Sequence, residues 1–144
     1  MTKKLIAIGN SSMQDDGVAL EVGERIRRVL LEKEVEVIIA ETDIDSCTER
    51  IQPGDEVYIM DSTYYGIAPG SITFSELNGK KDRKYISYSM HGFNLIDILM
   101  TYGKKIRVFL IGIEIESIEM ERGLSKTLLN KIDGICNHII KLIL

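Results

Sequence analysis

The sequence predicts an α/β fold, a three-layer sandwich in which a mostly parallel, twisted sheet lies between helices on both faces. Short apolar runs rich in β-branched residues occur at 4–8, 35–40, 56–60 and 106–111, each bounded by turn or charged residues. That pattern marks strands buried on both faces. Stretches with helical spacing alternate with these runs, which is the signature of helices packed on a parallel sheet. At 144 residues and 44% hydrophobic, the chain has the size of a single domain that can bury a core without staples, and residues 1–144 are read as one unit.

The first strand, 4–8, breaks at Gly9 and passes through a polar loop to Asp15 and Asp16. Val18, Val22, Ile26, Val29 and Leu30 then recur at helical spacing, with Glu21, Glu24, Arg25 and Arg28 on the other face. With the strand at 35–40 this makes a βαβ unit, whose right-handed crossover runs the two strands parallel. A short helix is expected over 44–51, capped by Asp43 and stopped by Gln52-Pro53-Gly54-Asp55. The strand at 56–60 leads into Asp61 and a long stretch, 62–89, with a short strand at 71–74 and a polar tip at 78–84, read as a substrate-facing insert. Later helices are expected at 94–102 and 124–144, the latter with Leu124, Leu128, Ile132, Ile135, Ile139 and Ile143 on one stripe.

Composition narrows the classes of function. Eighteen basic against 22 acidic residues, net −4, give no electrostatic footprint for nucleic acid or an anionic membrane, so neither is expected as a partner. Cys47 and Cys136 form no CxxC pair, which fits a reducing compartment. The apolar stretch after Lys3-Lys4 is shorter than the roughly 7–15 residues of a signal peptide, and a cytoplasmic location is expected.

The candidate chemistry lies in the adjacent pair Asp15 and Asp16, in Asp61 and in His91. Singly, each has an ordinary explanation. An acid complements a helix N-terminus, an acid after a strand starts a turn, and a lone histidine ahead of a helix is commonly just polar. Two adjacent acids, however, cannot occupy one cap. In a parallel sheet the loops after different strands meet at one rim, so the three can converge there. Two carboxylates and an imidazole suit a borderline divalent ion such as Zn²⁺ or Ni²⁺, with positions left open for substrate or water. Such an ion polarises a carbonyl or activates water for hydrolysis. Cys136 lies on the apolar stripe of the last helix and is read as core, His138 as solvated, and Cys47 has no activating signature.

With these residues in place the chain resembles the hydrogenase maturation endopeptidases, which trim the C-terminal extension from the large-subunit precursor of nickel–iron hydrogenases. Gly9-Asn10 followed by Asp15-Asp16-Gly17 is similar to the family's opening motif, with a metal ligand at Asp16. Asp61 with Ala68-Pro69-Gly70 behind it is similar to the second acid and its turn, and His91 with Leu95, Asp97 and Leu99 resembles the histidine segment. The stretch from Ile111-Gly112-Ile113-Glu114 to Gly123-Leu124-Ser125 is like the closing strand and the start of the last helix. Four short motifs in one order over nearly the whole chain are fairly specific. Glu41-Thr42-Asp43-Ile44-Asp45 stands where many relatives have a glycine-rich D-G-G-T-x-G, and Ile115 replaces the usual proline before Glu116.

The resemblance implies Asp16, Asp61 and His91 as metal ligands and a peptide bond cut only after nickel has been loaded; Asp16 and Asp61 are the candidate catalytic acids, with water activated either by an acid or by the ion. It implies that the nickel comes with the hydrogenase large-subunit precursor rather than residing in the isolated protein. Two alternatives stand beside it: a receiver-like signalling domain with Asp61 as phosphoacceptor, and a catalytically silent metal-binding module. Against the first, Gly112 follows the strand at 106–111 where such domains need a lysine.

Overall fold

A computed structural model describes residues 2–77, 99 and 105–144. Among them are β1 (Lys3–Ile8), a 3-10 turn (Gln14–Gly17), α1 (Val18–Glu32), β2 (Val35–Glu41), α2 (Ile44–Thr48), β3 (Glu56–Thr63), β4 (Ile72–Leu77), β5 (Arg107–Glu114) and α3 (Lys126–Ile143). The sheet order is β2-β1-β3-β5-β4. The first four of these strands run parallel, and β4 is antiparallel to β5 at the edge.

Two-sided burial follows from the period of two along each central strand. Leu5, Ala7, Tyr58, Met60, Ile111 and Ile113 face α1 and α3, where Val22, Ile26, Leu128, Ile132 and Ile139 meet them. The alternate residues Ile6, Ile8, Val57, Ile59, Val108 and Leu110 pack on the other face with Cys47, Ile51 and Leu99. The α/β sandwich with helices on both faces is therefore the observed architecture. Cys136 is in the core and His138 is exposed, as the stripe on the last helix predicts.

The boundaries depart from the expected ones in an informative way. β3 continues three residues past Met60, because β5 supplies a hydrogen-bonding partner for polar residues: Asp61 pairs with Gly112, Ser62 with Ile113 and Thr63 with Glu114. β5 correspondingly ends at Glu114 rather than at residue 111, and β4 runs to Leu77. The short helix does start at an Asp43 cap, whose Oδ1 accepts from the Ser46 N–H at 3.4 Å, but ends at Thr48. α3 starts two residues after Leu124, because Ser125 takes the cap and its Oγ accepts from the Leu128 N–H. The polar tip at 78–84 and, apart from Leu99, the helix at 94–102 lie outside the described residues.

Buried charge sorts to the two ends of the sheet. At the N-terminal end Lys4 pairs with Asp55 at 2.8 Å, and the Tyr58 hydroxyl donates to Glu56 at 3.2 Å. Tyr58 also stacks on Phe109, with ring centroids 4.7 Å apart. Burial, and then the neighbouring Glu56 carboxylate, push the Tyr58 phenol up to about 12. The folded chain thus keeps a proton that the unfolded chain releases near pH 10, so this group's contribution is complete below that pH and is lost as pH rises toward 12. Tyr58→Phe is expected to flatten the alkaline decline of the thermal midpoint, measured as the difference from the parent across that window.

Candidate functional site

At the C-terminal end of the sheet lie the buried side chains Asp15, Asp16, Asp61, Ser62, Thr63, Glu114 and Ser125. The strand order explains the location. From β1 the chain passes through α1 on one face to β2, while from β2 it passes through α2 to β3 on the other side of β1. The connections diverge between β1 and β3, opening the crevice in which open α/β sheets hold their ligands. β1 stops at Ile8, whereas β3 runs on through Asp61–Thr63 paired only with β5. The step between the end of β1 and the buried 61–63 segment of β3 forms a notch in the sheet's edge.

Asp16 fills one wall of that notch. Its Oδ1 accepts from the Ser62 hydroxyl at 2.6 Å, and its Oδ2 accepts from the Asn10 N–H at 3.2 Å. The Asp61 carboxylate in turn accepts from the Ser62 N–H at 2.8 Å. One residue, Ser62, therefore touches both acids, Asp61 beside it and Asp16 at a separation of 46 residues in sequence. Asp16 and Asp61, predicted to converge, both lie at this end of the sheet and each bonds to Ser62, Asp16 through the serine side chain and Asp61 through its main chain; both are buried. His91 lies outside the described residues.

The backbone that delivers Asp16 has its own requirements. Gly9 sits at φ +149, and a Cβ there would fall 2.2 Å from the Asp16 carbonyl oxygen, so only glycine lets the end of β1 pass beneath the turn. Gly112, opposite Asp61, has no room either: a Cβ would meet Thr73 Oγ1 at 2.4 Å and Thr63 Cγ2 at 2.5 Å. Gln14 takes a left-handed φ of 48 and is held by three bonds. Its N–H donates to the Glu121 carbonyl at 2.8 Å, and its side-chain oxygen accepts from the Ser117 hydroxyl at 2.6 Å and the Glu119 N–H at 3.2 Å. Such a strained residue persists only where its surroundings over-determine it.

Asp15 has a different task from its neighbour. Its Oδ2 accepts from the N–H groups of Glu116 and Ser117, both at 3.0 Å, and from the Ser125 hydroxyl at 2.8 Å. Its Oδ1 accepts from the Ser125 N–H at 2.7 Å. The acid is an anchor that ties the turn to the loop after β5 and to the start of α3. The adjacent pair thus resolves into one structural carboxylate and one in the notch. Beside the same turn opens a cleft of about 460 Å³, with Ser11, Gln14, Gly17 and Arg122 as polar walls and Leu124 and Leu129 as apolar ones.

Sequence reasoning missed two residues. Ser62 was passed over as the start of an insert, although its place directly after Asp61 in a strand was the available signal. Glu114, one residue in a closing motif, is buried with its carboxylate turned into the β3–β4 connection. Nothing local distinguishes it from the surface glutamates Glu116 and Glu119.

Residues 20–142 match the family model described as HycI, hydrogenase maturation protease. No curated protein matches the chain. Among solved structures the chain is similar to the NiFe hydrogenase maturation protease HybD from Thermococcus kodakarensis, with 25% identity, a TM-score of 0.79 and 100% of both chains covered. It is also similar to the hydrogenase maturating endopeptidase HybD from E. coli, with 20% identity, a TM-score of 0.78, and 99% of this chain and 91% of that chain covered. The endopeptidase HycI from Escherichia coli follows at 23% identity and a TM-score of 0.69, with 95% and 88% covered.

Proposed function

This chain belongs to the hydrogenase maturation protease family, endopeptidases that process hydrogenase large-subunit precursors, and from that premise we propose that it cuts a nickel-loaded precursor at the Asp16–Asp61 notch. The observation that carries the reading is the Ser62 bridge, which holds two buried carboxylates at the topological switch point. The donor chemistry fits: carboxylate oxygens from Asp16 and Asp61, with His91 as an imidazole ligand, suit nickel or another borderline divalent ion.

In this reading nickel is part of the substrate, carried in by the precursor, and supplies Lewis acidity toward the scissile carbonyl or an attacking water. Asp16 and Asp61 bind and orient the loaded site, so that the recognised ion and the bond to be cut share one geometry. Ser62 orients Asp16 through its hydroxyl, which can donate or accept and so can follow Asp16 as it engages the precursor. Either acid is a candidate to take the proton of the water. Among the described residues no helix is long and apolar enough to cross a membrane. Family membership displaces the receiver-like alternative for Asp61, and the silent-module alternative predicts no cutting of either form of the precursor.

The test is a processing assay, read as a gel-mobility shift of the hydrogenase precursor from the same organism, with and without nickel. Cutting is expected only of the nickel-loaded precursor. Asp61→Asn and His91→Ala are expected to slow it by about 10²-fold or more, the scale of losing one group that stabilises charge in the transition state. Equal cutting of nickel-free precursor would remove the metal from the proposal, and normal cutting by both variants would remove the notch.

A further inference from the structure

The buried carboxylate of Glu114 has no place in the chemistry just described. Among the described residues no cation pairs with it, and its burial is offset by donors from one short connection. It accepts from the Thr63 hydroxyl at 2.9 Å, from the Tyr65 N–H at 2.9 and 3.0 Å to its two oxygens, from the Gly66 N–H at 2.9 Å and from the Ile67 N–H at 3.3 Å. Three consecutive N–H groups turned on one anion form a closed nest. The main chain of the same residue grips the far end, since its carbonyl accepts from the Gly70 N–H at 2.8 Å and its N–H donates to the Ser71 carbonyl at 2.9 Å. Residue 114 therefore holds the whole passage from β3 to β4.

That passage begins at Thr63, two residues beyond Asp61, and displays apolar side chains: Tyr64 is 65% exposed and Ile67 43% exposed. Holding two exposed apolar groups on a clamped turn that continues the strand bearing Asp61 lowers the ordering cost of binding a partner there. We propose that Glu114 is a positioning residue for the precursor, clamping the 64–67 turn so that Tyr64 and Ile67 receive an apolar segment of the precursor beside the cutting site. This rests on the notch being that site. Glu114 touches neither the reacting bond nor the metal; it sets the shape of the surface that binds.

Kinetics of the full chain on nickel-loaded precursor separate the roles. Glu114→Ala is expected to raise KM about tenfold with kcat within about twofold, because what is lost is binding made equally in ground and transition states. Glu114→Gln is expected to recover most of that loss. Its amide oxygen at the Oε2 position can take the three N–H groups while its NH₂ donates to a reversed Thr63 hydroxyl; only the second, shared bond of the Tyr65 N–H to Oε1 is lost, so most of the acceptor geometry survives without the charge. The double substitution Tyr64→Ala with Ile67→Ala, confined to exposed groups, is expected to raise KM similarly without moving the thermal midpoint, and it decides the matter if Glu114→Ala does not fold. An unchanged KM in that double variant, or a loss in kcat alone in Glu114→Ala, overturns the proposal. Normal cutting by Asp61→Asn would instead sink the notch as the cutting site and leave the KM comparison standing.

Discussion

Asp16→Asn is expected to fold as the parent does and to lose processing of the nickel-loaded precursor by about 10²-fold or more. The fold is expected to survive because Asn10 and Ser62, the partners named above, tolerate the change. The asparagine oxygen can accept from the Asn10 N–H, and the Ser62 hydroxyl, which donates to the carboxylate, can turn to accept from the new NH₂. A buried charge is removed at the same time, which offsets part of any lost hydrogen-bond strength. What disappears is the anionic oxygen that the proposed site needs. The measurements are the gel-mobility assay beside a thermal melt; full activity, or a collapse of the melt, would contradict this assignment.

Asp15→Asn, one position earlier, is expected to do the reverse. Three of the four donors on Asp15 are main-chain N–H groups, from Glu116, Ser117 and Ser125, and these cannot turn round. In either orientation the amide NH₂ faces at least one of them, so a buried donor is left without an acceptor. Each such loss costs about 1–3 kcal/mol. Together with the missing charge this predicts about 3 kcal/mol of destabilisation, against total stabilities of about 5–15 kcal/mol for ordinary domains. The thermal midpoint should fall by roughly 10 °C. A midpoint unchanged within error would mean that the loop after β5 and the start of α3 hold without this anchor.

These opposite outcomes for neighbouring residues mark how far local pattern reaches. The apolar runs at 4–8, 35–40, 56–60 and 106–111 and the stripe on the last helix are properties of a few consecutive turns or pleats, and they were legible because a side chain's face depends only on its own period. From them came the parallel sheet, and from the parallel sheet the expectation that Asp16 and Asp61 meet. The polar continuation of β3 through Asp61, Ser62 and Thr63 was not legible, since its strand character comes from pairing with β5 about 50 residues away. The division of labour in the acidic pair was equally hidden, because Asp15 is defined by donors 101 to 110 residues downstream.

By itself, then, the sequence determined the layers and the rim at which Asp16 and Asp61 lie, because apolar periodicity and chain connectivity are encoded locally. Only the tertiary structure decided which acid anchors and which faces the notch, that Ser62 joins the two carboxylates, and that Glu114 grips the 63–71 connection. The physical reason is the same in each case: a buried carboxylate takes its role from the donors that surround it, and here those donors arrive from distant parts of the chain.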